Sequence, residues 1–207
     1  MANPCKAKVF GIGMFKTGLT SLGEALALLG YRFSAEEWYH GKIVDDPWNL
    51  HPRLADAEFQ RVVERARKYD AHVDYPWMFL FREMDQIFGN ARFIYTVRDP
   101  ERVARSNRNY RRRNGTKEED LPSSQRIIRR YIEHQRLVMN HFAGRTDLLV
   151  VDWEAGAGWE ELCQFLETER PDRAFPWANK GIDEFSGTLP RSESCGSDRS
   201  RSVWHDG

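Results

Sequence analysis

Lys16, Thr17, Gly18, Thr20 and Ser21 stand together in the stretch KVFGIGMFKTGLTSLG, Lys8 to Gly23, and their types suit the capture of a tetrahedral anion. Gly11 and Gly13 permit a tight turn. A helix beginning near Gly18 would aim the free N–H groups and positive dipole end of its first turn into that turn. Lys16 adds a full charge and Thr17, Thr20 and Ser21 add hydroxyl donors. A nucleoside-triphosphate loop closes with Gly-Lys-Ser/Thr, whereas here the lysine comes first, as Lys16-Thr17-Gly18. The order argues against a P-loop kinase or NTPase, which stays open as an alternative beside a non-catalytic relic that keeps the fold. A second anion-binding pair follows in FIYTVRDPERVARS. Arg98, leaving a strand, can offer a planar fork of donors to a phosphate, and the hydroxyl of Ser106, two helical turns later, can close over the same group.

The elements that would position these groups alternate along the chain. Lys8–Gly13 reads as a buried strand and Gly18–Leu29 as a helix ended by Gly30; residues 52–68 keep a helical period; Ala71–Asp74 is a brief strand and Pro76 opens a helix to Phe88. Arg92–Val97 is the next strand. Asp99-Pro100 breaks it and starts a helix running into Arg111-Arg112-Arg113, and a loop follows through Pro122. A helix carrying Ile127 to Phe142, a strand at Asp147–Asp152 and a helix at Trp159–Leu166 complete the pattern. Strands alternating with helices predict one α/β domain, residues 1–186, with a central parallel β-sheet flanked by helices. Residues 187–207, rich in Ser, Gly and Arg, read as a disordered tail. In an open parallel sheet the ligand site lies beyond the carboxyl ends of the strands. That rule singles out the loop after the first strand, then Asp74, Arg98-Asp99 and Asp152-Trp153.

Composition sets limits on the partners. Lys+Arg and Asp+Glu balance at 31 each, so no whole-molecule field draws the chain to nucleic acid or to an acidic membrane surface, and an anion site must be local. No apolar run approaches a membrane span and the N-terminus has no hydrophobic signal core, which reads as a soluble, cytoplasmic protein. Three dispersed cysteines and six histidines show no disulfide framework and no zinc spacing, so no metal is expected. Cys163, among Leu162, Phe165 and Leu166, reads as core. The arginines from Arg102 to Arg113 form either a solvated helical face or an attractor for an anionic acceptor.

The two anion-binding stretches resemble those of the sulfotransferases that use 3'-phosphoadenosine-5'-phosphosulfate (PAPS). The phosphosulfate loop of that family, approximately Pro-Lys-Ser/Thr-Gly-Thr-Thr, is similar to Phe15-Lys16-Thr17-Gly18-Leu19-Thr20, and its 3'-phosphate-binding Arg and Ser correspond to Arg98 and Ser106. The resemblance extends over most of residues 8–181, through VDYPW, LLVVDWEAGAGWEELCQFL and FPWANKG, in the manner of the short single-domain members. Phe15 replaces the family's proline, Leu19 one threonine, and Ser21 the adenine-stacking tryptophan of the cytosolic enzymes. The resemblance implies a P-loop NTPase-like fold and transfer of the sulfuryl group from PAPS to a hydroxyl or amine of a small-molecule or glycan acceptor. Adenosine 3',5'-bisphosphate would be released. Lys16, Thr17, Gly18, Thr20 and Ser21 would hold the 5'-phosphosulfate, and Lys16 would stabilise charge on the departing oxygen. Asp74 stands where the cytosolic members carry their base, so it is either the base or a helix-start residue before Pro76. Lys180 is similar to a basic residue that closes over the 3'-phosphate. Trp38, Trp48, Trp77, Phe79 and residues 107–122 are candidates to shape the acceptor site.

Overall fold

A computed structural model describes residues 6–34, 50 and 54–178. Lys180, Trp38, Trp48 and the 187–207 segment lie outside the described residues.

Five strands form one all-parallel sheet in the order β2-β3-β1-β4-β5: β1 Val9–Gly11, β2 Phe33–Ser34, β3 Ala71–Val73, β4 Arg92–Thr96 and β5 Leu148–Val151. Among the described residues, α1 Leu19–Leu28, α2 Asp56–Lys68, α3 Phe81–Ile87, α4 Pro100–Arg113 and α5 Ser124–His141 lie in the connections between strands, and α6 Trp159–Leu166 follows the last strand. Successive strand residues point to opposite faces, and here both faces are apolar because both are covered. Val9 and Ile94 enter one core with Leu22, Leu26, Trp153 and Leu162. Phe10, Ile12, Phe93 and Tyr95 enter the other with Val62, Trp77, Phe81 and Phe142. The expected α/β architecture with a central parallel sheet is therefore present, and Cys163 is buried as anticipated.

Two local expectations need correction. The sheet has a fifth strand, β2, whose two residues are too few to show a period. No helix opens at Pro76 either; residues 75–79 form turns, with Phe79 N–H bonded to Pro76 O and Leu80 N–H to Trp77 O, and α3 starts at Phe81. Trp77, Met78, Phe79 and Leu80 are all buried. Four consecutive residues sweep most of the way around a helix, so one helical face could not bury all four, and the turns distribute them instead. Trp77 packs on Phe10 and His72 in the core, which removes it from the acceptor side.

Helix signals elsewhere act as read. Gly30, at φ 76°, closes α1 with its N–H on Ala27 O while Tyr31 N–H reaches Leu26 O, a Schellman motif that places a left-handed residue where glycine fits best. Asp99 caps α4 by accepting from Arg102 N–H at 2.9 Å, with Pro100 in the first turn.

The order of strands creates a crevice. After β1 the chain leaves toward β2 on one side; after β4, the neighbour of β1, it leaves toward β5 on the other. Connections that diverge from adjacent parallel strands open a cleft at their carboxyl ends, the usual ligand position in such sheets.

Candidate functional site

The loop between β1 and α1 and the residues that follow β4 meet in that crevice. Arg98 donates from Nη1 to Lys16 O at 3.3 Å, and its backbone N–H donates to the Tyr131 hydroxyl of α5 at 3.1 Å. Its Nη2 donates to Glu154 Oε1 at 2.6 Å, and Arg102 Nη1 donates to Glu154 Oε2 at 2.7 Å. Arg98, then Arg102, hold the Glu154 carboxyl below its ordinary range against the opposing effect of burial. Asp152, the residue after β5, accepts through Oδ1 from Glu154 N–H (2.9 Å) and Ala155 N–H (3.3 Å), shaping the turn that presents Glu154.

Backbone conformation marks the same place. Among the described residues only Lys16 (φ 72°), Asp74 (φ 71°) and Glu167 adopt positive φ without being glycine. Glu167 is the C-cap of α6. The other two follow β1 and β3, and residues held in this sparsely populated region concentrate at functional sites. Gly18, at φ 97°, is the N-cap of α1, and a Cβ on it would lie 2.4 Å from Trp153 Cδ1. Glycine is thus required twice over, by conformation and by the indole packed against it. Lacking a side chain, Gly18 cannot cap α1, and the first turn contains no acidic residue. Its N–H groups and dipole face the loop without an internal carboxylate.

Each sequence-derived candidate among the described residues has a definite place. Lys16 directs its Nζ over the Tyr110 ring of α4, 3.5 Å from the centroid. The Thr17 hydroxyl, 2% exposed, faces inward to Met14 O and Thr96 Oγ1, both at 2.6 Å, so toward an anion this residue offers only its backbone N–H. Thr20 is exposed. Ser21 is buried and its Oγ accepts from Ala178 N–H at 3.0 Å, which docks the C-terminal FPWA segment onto α1. Phe175 anchors that segment between Trp153 and Trp159. Ser106 is half-buried on α4, one turn beyond Arg102. Asp74 is half-buried at the end of β3, and its Oδ1 accepts from Tyr75 N–H at 2.9 Å. With no helix at Pro76, Asp74 caps none; its local bond holds the turn. Beside the loop, Met14, Phe15, Val103, Asn107, Arg111, Ile127, Arg130 and Tyr131 line a largely apolar cavity, with Arg130 only 7% exposed and stacked over Phe79.

Sequence reasoning missed Glu154, Tyr110 and Tyr131. Tyr131 and Tyr110 sit on helices where an aromatic reads as core or surface, and Glu154 follows the aspartate that ends a strand. Only proximity to the carboxyl end of β5 could have raised Glu154 as a candidate.

A parallel sheet covered on both faces, with a glycine-bounded strand-to-helix loop at its switch point, defines the class of this protein. A family model described as a sulfotransferase domain matches residues 8–121 and 110–184. Those segments span most of the 207 residues, and the chain belongs to that family, whose chemistry is sulfuryl transfer. Comparison with curated proteins finds no match. Among the described residues no helix is long and apolar enough to cross a membrane.

Proposed function

We propose that the protein transfers the sulfuryl group of PAPS to a hydroxyl or amine of a small-molecule or glycan acceptor and releases adenosine 3',5'-bisphosphate. The observation that carries this reading is the junction of Arg98 with the Lys16 loop across the β1/β4 crevice. The residues present fit the nucleotide. Arg98 Nε and Trp153 Nε1 are buried donors with no hydrogen-bond partner among the described residues, and both border this junction. A buried donor left unpaired costs on the order of 1 to 3 kcal/mol, which an anionic ligand reaching it would offset.

PAPS supplies the activated sulfuryl group. The first-turn N–H groups of α1, that of Ser21 included, the backbone of Thr17 and Gly18, and the side chains of Lys16 and Thr20 would hold its 5'-phosphosulfate. Arg98 and Ser106 would hold the 3'-phosphate. Lys16 would stabilise the negative charge that grows on the departing phosphate oxygen, and Asp74 would take the acceptor proton. Phe15, Phe79 and the cavity beside them stand on the acceptor side.

The test is a calorimetric comparison of two nucleotides. Adenosine 3',5'-bisphosphate should bind more tightly than 5'-AMP, and Arg98→Ala should remove most of the difference. A charged fork on a phosphate contributes on the order of 1.5 to 3 kcal/mol, at least about tenfold in affinity. Equal binding of both nucleotides by the unmodified protein would refute the assignment.

A further inference from the structure

The Glu154 carboxylate bridges two arginines, one oxygen to each: Oε1 to Arg98 Nη2 at 2.6 Å and Oε2 to Arg102 Nη1 at 2.7 Å. A phosphate can present two oxygens to the same pair of donors, because both groups are compact anions whose oxygens accept charge-assisted hydrogen bonds. We propose that Arg98 and Arg102 together form a two-arginine clamp for the 3'-phosphate, and that Glu154 is the clamp's internal occupant, displaced when the nucleotide binds. The inference rests on the assignment of Arg98 to the 3'-phosphate. It adds Arg102 as a binding residue and Glu154 as the residue that sets the threshold for entry.

Charge and position favour displacement over a fixed support. Glu154 brings a single negative charge to Arg98 and Arg102, whereas a phosphate monoester carries about −1.5 to −2 near neutral pH and would be the stronger partner of two guanidiniums. The Glu154 side chain is 30% exposed, so its carboxylate has a path to water, while Arg98 is 18% exposed and held from behind by Lys16 O and the Tyr131 hydroxyl. The Asp152 turn fixes the Glu154 backbone. Exchange therefore requires only rotation of a side chain. Arg102 lies on α4 one turn before Ser106, so both face the same anion. A competing carboxylate also selects its ligand: a singly charged group gains little by replacing Glu154, and a dianionic phosphate gains more.

Calorimetric titration of the full chain with adenosine 3',5'-bisphosphate and with 5'-AMP tests this on three proteins: unmodified, Glu154→Gln and Arg102→Gln. Removing the competing charge of a partly exposed ion pair should tighten bisphosphate binding about threefold to tenfold in Glu154→Gln and leave 5'-AMP unchanged. Arg102→Gln should weaken bisphosphate binding at least about fivefold, again without effect on 5'-AMP. Weaker or unaltered bisphosphate binding by Glu154→Gln would overturn displacement and make Glu154 a support for Arg98. Unaltered binding by Arg102→Gln would overturn the clamp, and that variant decides the matter alone if Glu154→Gln fails to fold. In either case a preserved preference of the unmodified protein for the bisphosphate over 5'-AMP leaves the Arg98 assignment standing. Loss of that preference refutes the assignment and the clamp together.

Discussion

The hydroxyls of Thr17 and Thr96 lie 2.6 Å apart, and Thr17 Oγ1 is also 2.6 Å from Met14 O. A carbonyl can only accept, so Thr17 donates to Met14 and accepts from Thr96. This relay ties the β1–α1 loop to the last residue of β4. Gly13 leaves room for it, since a Cβ there would come within 2.0 Å of Thr96 Oγ1.

Thr17→Val keeps the shape and removes the hydroxyl, leaving the buried hydroxyl of Thr96 without its acceptor. Stability should fall by about 1 to 3 kcal/mol, read as a lower urea midpoint at unchanged slope. Thr17→Ser should recover most of the loss. Full stability in the valine variant would mean that the relay contributes nothing.

Asp74→Asn separates proton transfer from structure. Asparagine tolerates the left-handed conformation at φ 71° and can still accept from Tyr75 N–H, but it has lost basicity. With Asp74 as base, single-turnover rate should drop about a hundredfold to ten-thousandfold, while nucleotide affinity and thermal midpoint stay close to those of the unmodified protein. A rate within a few-fold of normal, with an acceptor limited by proton removal, would leave Asp74 a turn residue only.

Two core histidines should make the protein acid-sensitive in a defined window. His134 faces Met78 O through Nε2 at 2.8 Å, so that nitrogen carries a hydrogen. Burial is the main cause that pushes His134 down to about 4 and His72 to about 3, against 6.5 ordinarily. Below pH 6.5 the unfolded chain takes up protons that the folded chain refuses. The stabilisation is therefore complete above 6.5 and is lost as pH falls toward about 4, by at most about 1.4 kcal/mol per unit for each histidine. The carboxyls of Asp70, Asp85 and Asp147 are held below their ordinary range by Arg32, Arg145 and Arg145 respectively, and their loss belongs to lower pH. Thermal midpoints from pH 7.5 to 4.5 should fall, and His134→Gln should flatten the slope. A flat profile in the unmodified protein would contradict neutral burial.

Positive charge at the reacting phosphosulfate should come from Lys16 and the α1 N-terminus instead of a metal. Among the described residues no group of His, Cys, Asp or Glu is arranged to hold a cation, and Asp152 Oδ1 is engaged by two backbone N–H groups. A chelator should leave turnover unchanged, and Lys16→Met should slow it on the order of a hundredfold. Activity abolished by the chelator and restored by magnesium would favour kinase-type chemistry.

Much of this fold was legible in the chain because its signals are local. The short apolar run of Arg92–Thr96, the helical period of Asp56–Lys68, the Asp99-Pro100 start and the Gly30 stop each depend on residues within about one helical turn or one strand. The anion-type loop and Arg98 were visible for the same reason, as side chains at the ends of recognisable strands. Where apolar residues ran consecutively, as in Trp77–Leu80, the pattern had no period and the helix reading failed.

The pairings across the site were not legible. Thr17 meets Thr96 across 79 residues, Arg98 meets Glu154 across 56, and Ser21 meets Ala178 across 157. None of these partners carries a mark of the other in its own neighbourhood. They meet because β4 inserts beside β1 and β5 pairs outside β4. Residue types and local period determined that an anion-binding loop and an arginine exist. Strand order alone decided that they share one crevice, and that a glutamate lies in it with them.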